Sequence, residues 1–460
     1  MSVPSKLFGI TPRHPAGKKS VDFADFVSYV KFIMSEIIHQ YLEDDRPWII
    51  AFSGGKDSRT LLQLVFYALR QIPKERRTKP IHVLSNDTLV ENPAIIPLTF
   101  ATLQKVRAAA EKLDLPITVA TTTPALGDRF WVNIIGRGYP IVHPKFRWCV
   151  SKLKIEPANA YITSVTGRYG EAIVLLGTRR SESTNRRRTI AKYERPGQRL
   201  RPHGLPGVSV FAPITELSTD EVWTYLLQVP APWGEDNKRI FTVYKNSAGG
   251  ECPLVLDTSV PSCGSRFGCW TCTLIEHDRS MEGLVDSGDD ELEPLLLFRN
   301  WLKSLRDEDT MQGRTKRTSH DGLGPFTLAT REMILRRLLA LQATVGFDLI
   351  DGEELAAIQH IWNQEYLDAP SVARIYREAT GQPCEAFDSP KDQCRREERA
   401  LLAEICEEYG IEPGLIDQLV YVEKSKSGLG RRQGIYTRLD ETLTRYLRLH
   451  PESGSTGAAS

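Results

Sequence analysis

The first half of the chain alternates short apolar runs with longer amphipathic stretches, which predicts strands spaced by helices. Strands that alternate with helices are typical of the α/β class, with an open, mostly parallel twisted sheet and helices on both of its faces. The predicted strands cover residues 48–53, 81–86, 117–122 and 172–178, and the predicted helices cover residues 22–41, 57–68 and 98–113.

The pattern changes in the second half of the chain. Residues 249–272 are rich in Cys, Gly, Pro and Ser, and from about residue 282 the apolar positions follow a helical period almost throughout. Helices are predicted at 330–342, 352–364, 396–409 and 438–449. These changes predict a flexible arm (1–24), an α/β domain (25–248), a Cys-rich segment (249–285), a helical C-terminal region (286–449) and a disordered tail (450–460).

Charge is balanced over the whole chain but not locally. The chain contains 59 Lys and Arg and 58 Asp and Glu, for a net charge of +1. This balance excludes a uniformly basic nucleic-acid-binding protein. Two basic stretches, 179–203 and 424–432, are predicted to contact a nucleic-acid backbone without reading its sequence, with a solvated loop as the alternative. Residues 312–324 are predicted to be a mobile linker that could touch DNA as well.

No apolar run is long enough to predict a transmembrane helix, and the first residues lack the pattern of a secretory signal. We therefore expect a cytoplasmic protein with no membrane partner.

The stretch IIAFSGGKDSRTL at residues 49–61 places a Gly-rich turn between a predicted strand and a predicted helix. This arrangement binds phosphates, because glycines let backbone N–H groups approach the oxygens and the helix N-terminus adds partial positive charge. The spacing is not that of a Walker A loop. Lys56 would add a charge, and Asp57 would hold magnesium or cap the helix. The candidate phosphate-binding residues are Ser53, Gly54, Gly55, Lys56, Asp57 and Ser58.

Further polar residues lie at the ends of other predicted strands, where open α/β sheets place their ligands. Asp87 follows the strand at 81–86 and would contact ribose, adenine or a metal ion. Gly177, Arg179 and Arg180 follow the strand at 172–178, and the two arginines would clamp phosphate oxygens through paired hydrogen bonds. Each of these segments alone could be a solvated loop.

The chain has eight cysteines, and clustered cysteines in a long chain outside an oxidising compartment indicate metal or redox chemistry. Cys269 and Cys272 form a Cys-x-x-Cys pair, with Cys263 six residues upstream and Cys149 far earlier in the chain. Four thiolates of this kind hold a [4Fe–4S] cluster or zinc. Cys252 is left with three alternatives: a structural thiol, the true fourth ligand, or a sulfur carrier.

The motifs together resemble a known family. The loop FSGGKDS resembles the PP-loop of the ATP pyrophosphatases, which also occurs in adenylyl-sulfate and phosphoadenylyl-sulfate reductases. WCVSKLKIEP resembles the first half of the Cys-Cys…Cys-x-x-Cys pattern of those reductases, with Trp148 in place of one cysteine. With FWVNIIGRGYPIVHPKFRWC and GGECPLVLDTSVPSCGSRFGCWTC, in this order, residues 49–281 resemble the DndC family of DNA phosphorothioation sulfurtransferases.

This resemblance implies an enzyme that splits ATP to AMP and pyrophosphate, so that sulfur can replace a non-bridging oxygen of a DNA phosphate. It implies magnesium and a [4Fe–4S] cluster as cofactors. It also implies DNA, a cysteine desulfurase as sulfur source and other phosphorothioation proteins as partners. The residues expected to take part in catalysis are Lys56, Asp57, Arg179 and Cys252, and the expected cluster ligands are Cys149, Cys263, Cys269 and Cys272.

Three other functions fit the same motifs. A sulfonucleotide reductase would use the same fold on a free nucleotide, but it needs a mobile C-terminal cysteine, and the residues after 449 contain none. A thiolase that modifies RNA would share the adenylation step. A non-enzymatic iron–sulfur scaffold of a DNA modification complex would need neither step, although the intact Ser-Gly-Gly-Lys-Asp-Ser loop argues against it.

Overall fold

The computed structural model of this protein describes most of the chain. The described residues are 23–182, 184–194, 197–247, 267–307, 313–316, 323–366, 369–387, 401–402, 404–427 and 434–449. Cys252 and Cys263, the predicted tail and most of the predicted arm lie outside these ranges. Two compact units form, one within Met1–Ala125 and Val142–Trp301 and the other within Leu126–Ile141 and Leu302–Ser460.

The first unit is built on a six-stranded sheet in the order β3-β2-β1-β4-β6-β5, in which all neighbours are parallel except β5 and β6. The predicted α/β class is therefore confirmed. The apolar runs of β1 and β4 are buried almost throughout, as expected for parallel strands covered by helices on both faces. The strands are β1 (Trp48–Ala51), β2 (Ile81–Asn86), β3 (Ile117–Thr122), β4 (Ala172–Leu175), β5 (Leu200–Pro202) and β6 (Val208–Phe211).

Helices surround this sheet, and one of them, α2, is buried over most of its length. A π-helical segment, Ser151–Ile155, joins α4 to α5, and a 3-10 turn, Arg180–Glu182, precedes α6. The helices that begin in this unit are α1 (Phe23–Glu43), α2 (Lys56–Gln71), α3 (Ile96–Lys112), α4 (Trp148–Val150), α5 (Glu156–Tyr169), α6 (Thr184–Tyr193), α7 (Thr219–Gln228), α8 (Lys238–Asn246), α9 (Arg279–Asp286) and α10 (Glu293–Asp307).

The strand order changes direction at β1. Ile50 of β1 pairs with Val83 of β2 on one side and with Leu175 of β4 on the other. The chain passes from β1 to β2 and β3 on one side, and then returns to place β4 on the opposite side. Loops diverge at such a switch point, and the crevice between them at the carboxyl ends of the strands is where open α/β sheets bind ligands. The Gly-rich loop follows β1 and therefore lies at this crevice.

The second unit is helical apart from one hairpin. Residues 126–141, which fall within the span predicted for the α/β domain (25–248), belong to this unit. The indole of Trp131 donates to the carbonyl of Leu349, and the indole of Trp362 donates to the carbonyl of Ile135, each at 2.8 Å. The elements are a π-helix (Val132–Gly136), β7 (Arg314–Lys316), β8 (Leu323–Phe326), α11 (Leu328–Val345), α12 (Gly352–Glu365), α13 (Val372–Thr380), α14 (Pro413–Ser427) and α15 (Ile435–Leu449).

The predicted helices at 330–342 and 352–364 fall within α11 and α12. The predicted helix at 396–409 lies in part outside the described residues. Over the ranges that the structure describes, no helix combines the length and the apolar character that crossing a bilayer requires.

Candidate nucleotide-binding site

A cavity of about 460 Å³ lies at the carboxyl ends of β1, β2 and β4. This volume is within the range of roughly 300–1,000 Å³ that is typical of pockets for small molecules. Three segments that are distant in the chain meet there: the Gly-rich loop, the loop after β2 and the loop after β4. Of the residues predicted from the sequence, the cavity lining contains Ser53, Gly55, Lys56, Asp57, Ser58, Asp87 and Gly177.

The Gly-rich loop leaves the N-terminus of α2 open. Gly54 has φ +76°, a left-handed conformation, and a Cβ there would lie 2.1 Å from Thr99 Oγ1, so the position requires glycine. Gly55 is the N-cap of α2 and supplies no side chain to the first N–H groups. The Ser58 hydroxyl donates to the Gly55 carbonyl at 3.0 Å and accepts from the Ser53 N–H at 3.3 Å. This geometry suits an anion at the helix N-terminus.

Arg59 and Glu235 form a buried ion pair that holds the Gly-rich loop and that the sequence analysis did not predict. Arg59 is 1% exposed; its Nε donates to the Gly54 carbonyl at 2.7 Å, and its Nη1 donates to Glu235 Oε2 at 2.8 Å. Burial alone would raise the pKa of Glu235, but the Arg59 charge and hydrogen bonds from Thr102 and Trp233 hold that pKa below its usual value. The sequence feature that could have predicted this pair is Arg59 itself, a charged residue within the apolar pattern of α2.

Arg179 holds Asp57 rather than lining the cavity. It is 1% exposed, its Nε donates to Asp57 Oδ1 at 2.7 Å, and its Nη1 donates to the Leu217 carbonyl at 3.1 Å and to Ser181 Oγ at 2.7 Å. The other oxygen of Asp57 lies 3.4 Å from Lys56 Nζ. Asp57 therefore links the Gly-rich loop to the loop after β4. This arrangement differs from the predicted phosphate clamp, because the arginine is occupied beneath the first turn of α2.

Because Gly177 has no side chain, the loop after β4 can lie directly against the first turn of α2. A Cβ on Gly177 would lie 2.9 Å from the carbonyl oxygen of Asp57 and 3.2 Å from the nitrogen of Ser58, closer than real Cβ atoms come to backbone. The neighbouring Arg180 lies outside the cavity lining, and its guanidinium donates to Glu194 and Glu216. The structure therefore does not bring Arg180 together with the other predicted phosphate contacts.

Lys56 is the cavity cation closest to the N-terminus of α2. Its side chain is 11% exposed, and burial lowers the pKa of its ammonium, although the charge of Asp57 opposes this shift. Its Nζ lies 5.2 Å from the centroid of the Tyr244 ring, which also lines the cavity. The ammonium is thus held between a carboxylate and an aromatic face, beside the open end of the helix.

Asp87 is the cavity carboxylate at the end of β2. Its Oδ1 accepts the backbone N–H of Leu89 at 2.8 Å, in a turn in which Leu89 has φ +63°. Burial raises the pKa of Asp87, and the charge of Glu91 adds to the rise. A cation in the cavity would reverse this shift, because it favours the ionised carboxylate.

The Cys-x-x-Cys turn docks on the loop after β2. Cys269 forms an isolated antiparallel bridge with Glu91, and the Trp270 N–H donates to the Val90 carbonyl at 3.0 Å. The Cys269 sulfur lies 3.5 Å from Thr88 Oγ1, and the same hydroxyl donates to Glu91 Oε1 at 3.0 Å. Because Glu91 lines the cavity, the cysteine turn and the cavity share a wall.

Three of the four predicted cluster ligands belong to one neighbourhood. Burial raises the pKa of Cys149 to about 11, with a further contribution from Cys272, and it raises the pKa of Cys269 to about 12. Such thiols are neutral in the absence of metal, and a bound metal ion would deprotonate them. Cys263 lies outside the described residues. Within the described part of the chain, no group of three or more His, Cys, Asp or Glu is arranged to hold a metal ion.

Lys154 stands between this neighbourhood and the cavity. It follows Cys149 on the same helical segment, lines the cavity, and places its Nζ 3.1 Å from Glu91 Oε1. A positive charge therefore lies at the side of the cavity next to the cysteines, in addition to Lys56 beside the Gly-rich loop. The sequence analysis did not select Lys154 or Glu91.

The part of the chain that contains the cavity and the cysteine turn is similar to a known protein family. Residues 47–274 match the family model described as the phosphoadenosine phosphosulfate reductase domain. An uncharacterized protein of Methanocaldococcus jannaschii is 26% identical over 208 residues, which cover 45% of this chain and 37% of that protein. The chain thus spans well under half the length of this relative.

Among solved structures, phosphoadenylyl-sulfate reductase from Candida auris in a phosphate complex shows 14% identity over 46% of this chain and 88% of its own, with a TM-score of 0.27. FMN adenylyltransferase from Candida glabrata shows 11% identity over 50% of this chain and 64% of its own, with a TM-score of 0.29. The family match over residues 47–274, on a parallel sheet with this loop, makes that part of the chain a phosphoadenosine phosphosulfate reductase-like domain.

Proposed function

We propose that the protein is an ATP-dependent sulfurtransferase that acts on the DNA backbone. It would split ATP to AMP and pyrophosphate and replace a non-bridging phosphate oxygen by sulfur. The observation that carries this proposal is the shared wall between the open N-terminus of α2 and the thiol-bearing turn at Cys269. A phosphate-binding loop beside thiols supports chemistry that joins nucleotides to sulfur, in agreement with the reductase-like domain.

The first step would activate the DNA phosphate. One of its non-bridging oxygens attacks the α-phosphorus of ATP, the bond to the β-phosphate breaks, and pyrophosphate leaves. The N–H groups of α2 and the ammonium of Lys56 would stabilise the charge that grows on the leaving group. Asp87 fits magnesium better than Asp57 does, because both oxygens of Asp57 already contact cations. Bound there, magnesium would neutralise phosphate charge.

The second step would transfer sulfur. The terminal sulfur of a persulfide attacks the activated DNA phosphorus, and AMP leaves with the former DNA oxygen. A second thiol then attacks the S–S bond, which releases the phosphorothioate and leaves a disulfide. A cysteine desulfurase would supply the persulfide, other phosphorothioation proteins would assist, and Cys252 is our candidate carrier.

We propose that Cys149, Cys269 and Cys272 hold a [4Fe–4S] cluster together with Cys263. The support is the proximity of the first three thiols, since Cys272 adds to the raised pKa of both Cys149 and Cys269. When bound, the cluster would supply an iron site that can bind sulfur and can accept or donate an electron next to the cavity. Anaerobic purification followed by iron, zinc and sulfide analysis tests this: Cys149→Ser should lose most of the metal.

A matched control for that experiment is Cys384→Ser. Cys384 is a buried cysteine of the second unit and is not a proposed ligand, so this variant should keep the wild-type metal content. Equal iron in Cys149→Ser and wild type would exclude Cys149 as a ligand. Zinc without sulfide in the wild type would replace the cluster by a zinc site.

Helix α6 supports contact with the DNA backbone. Ile190 is 3% exposed and anchors the helix, whereas Arg187, Arg188 and Lys192 are exposed. With 100° per residue, Arg188 and Lys192 fall on the face opposite Ile190, about 160° from it, whereas Arg187 lies about 60° from Ile190. The helix begins just after Glu182, which lines the cavity, so the basic face continues from the nucleotide site. Most of 424–432 and of 312–324 lies outside the described residues.

Replacing Arg188 and Lys192 by Ala should weaken binding of any duplex DNA and lower the slope of log K against log salt by about 2, roughly one per lost phosphate contact. Lys112→Ala is the control, because it removes an exposed charge at the far end of α3, about 18 Å along that helix from Phe100, the last residue of α3 that lines the cavity. An unchanged slope in the double variant would remove α6 from the proposed DNA path.

The central test is product analysis with radiolabelled ATP, magnesium and anaerobically purified protein, with DNA, with RNA and without nucleic acid. We expect AMP and pyrophosphate, more of both with DNA, and no products from Lys56→Ala. ADP as the nucleotide product would refute the proposal, and stimulation by RNA instead of DNA would favour a thiolase.

The match to a reductase domain favours a second candidate, a sulfonucleotide reductase. Its test is incubation with phosphoadenylyl sulfate and a dithiol reductant. Release of sulfite and adenosine 3′,5′-bisphosphate, with no AMP from ATP, would establish that function in place of the first.

A further inference from the structure

We infer that the Tyr244 hydroxyl is a ligand-binding group of the phosphate site and donates to the β- or γ-phosphate of a nucleotide bound at the N-terminus of α2. This inference rests on the proposed function only in its ligand, a nucleoside polyphosphate. Neither the Gly-rich motif nor any strand-end motif contains this residue, which lies on α8.

Tyr244 is placed against the loop. It is 6% exposed and lines the cavity. Its hydroxyl oxygen lies 3.2 Å from the position that a Cβ on Gly55 would take. Gly55 is the N-cap of α2, so the phenol group borders the open end of the helix at which a phosphate would bind.

The hydrogen bonds of this hydroxyl are incomplete. A phenol both accepts and donates. Burial and the charge of Asp57 raise the pKa of this phenol, and the backbone amide of Lys56 opposes the rise. No acceptor for the Tyr244 proton exists among the residues that the structure describes. Unlike the Tyr225 hydroxyl, the Tyr244 hydroxyl is not among the enclosed polar atoms that lack a partner, and it borders the cavity, where a phosphate oxygen could accept its proton.

The ring also holds Lys56. The Lys56 ammonium lies 5.2 Å from the ring centroid, a cation–π distance. The ring itself is fixed by edge-to-face contacts with Trp223 at 5.1 Å and with Phe267 at 4.9 Å. Lys56 and the hydroxyl are therefore both positioned by one rigid side chain, and a single polyphosphate group at the loop would meet both.

The alternative is that Tyr244 only fills space. In that case Tyr244→Phe would change nothing in the cavity, because phenylalanine keeps the ring, its packing and its contact with Lys56. Tyr225→Phe is a matched control. Tyr225 is also buried, its hydroxyl has no partner among the described residues, and it does not line the cavity.

The experiment is calorimetric titration of the full chain with inorganic pyrophosphate, and separately with AMP, in magnesium buffer. We expect Tyr244→Phe to bind pyrophosphate roughly tenfold or more weakly than wild type, the loss typical of one hydrogen bond to a charged group. AMP affinity should stay within about twofold, as should both affinities of Tyr225→Phe. Thermal unfolding of both variants confirms that they are folded.

Three results would overturn the inference: wild-type pyrophosphate affinity in Tyr244→Phe, an equal loss for AMP, or no pyrophosphate binding by the wild type. The proposed function is decided separately by AMP formation from ATP. A wild type that binds pyrophosphate through Tyr244 but forms no AMP would refute the proposed function and leave this inference standing.

Discussion

The contact between Gly177 and the first turn of α2 makes a strong prediction for Gly177→Ala. The new Cβ would lie 2.9 Å from the Asp57 carbonyl oxygen, whereas ordinary contact begins at 3.4 Å, so the two backbones must separate by about 0.5 Å. Gly177 has no left-handed φ, so the substitution tests this contact and not backbone strain. A displacement of about 1 Å in an active site can cost 100-fold in rate. We therefore expect a loss of roughly tenfold.

The assay is kcat/KM for AMP formation from ATP, with urea unfolding on the same preparations. Overpacking of this kind destabilises a protein by about 1–3 kcal/mol. The control is Gly167→Ala, at an exposed position of α5 with no atom within 4 Å of the new Cβ. Because alanine is the better helix former, the control should be up to about 1 kcal/mol more stable and fully active.

Wild-type kcat/KM and wild-type stability in Gly177→Ala would refute the reasoning, because they would mean that the two loops do not touch. A loss of stability without a loss of activity would show that the contact holds the fold but does not place the first turn of α2 for catalysis.

Three further predictions follow from buried charges. Glu235→Gln leaves the Arg59 charge buried without its partner and should cost about 3–5 kcal/mol in urea unfolding; a change below 1 kcal/mol would contradict the buried pair. Arg179→Lys keeps a charge near Asp57 but loses the bonds that anchor it, so kcat should fall more than KM rises; unchanged kinetics would contradict this role. Burial raises the pKa of Glu354 in the second unit from 4.5 to about 7. The unfolded chain therefore ionises first, and the folded state loses roughly 3 kcal/mol as the pH rises from about 4.5 to 7. Glu354→Gln should flatten that part of the profile of unfolding free energy against pH, and an unchanged slope would contradict the shift.

Much of the candidate site follows from local sequence. A phosphate-binding loop can be predicted from the glycines, Lys56 and the serines, because the strand, the tight turn and the helix follow one another directly in the sequence. Asp87 and Gly177 could be placed beside the loop because parallel strands end at the same edge of a sheet.

The rest depends on contacts between distant segments. Arg59 and Glu235 are 176 positions apart, and nothing near either residue indicates the pairing. The polar and charged neighbours of Arg179 predict a phosphate ligand, yet its guanidinium is bonded to Asp57 and to the Leu217 carbonyl. Tyr244 reads as one more apolar position of α8, since only the folded loop brings Gly55 to its hydroxyl.

Residues 126–141 belong to the second unit although the chain on both sides of them belongs to the first, and this limits where the protein can be truncated. Trp131, Ile134 and Ile135 are almost completely buried, and the indole of Trp131 is bonded to the carbonyl of Leu349. A fragment that stops after Trp301 would carry these side chains without the helices that cover them, and we expect it to aggregate. A workable fragment of the nucleotide-binding unit must also replace 126–141 by a polar linker, because the residues of the two units alternate along the chain.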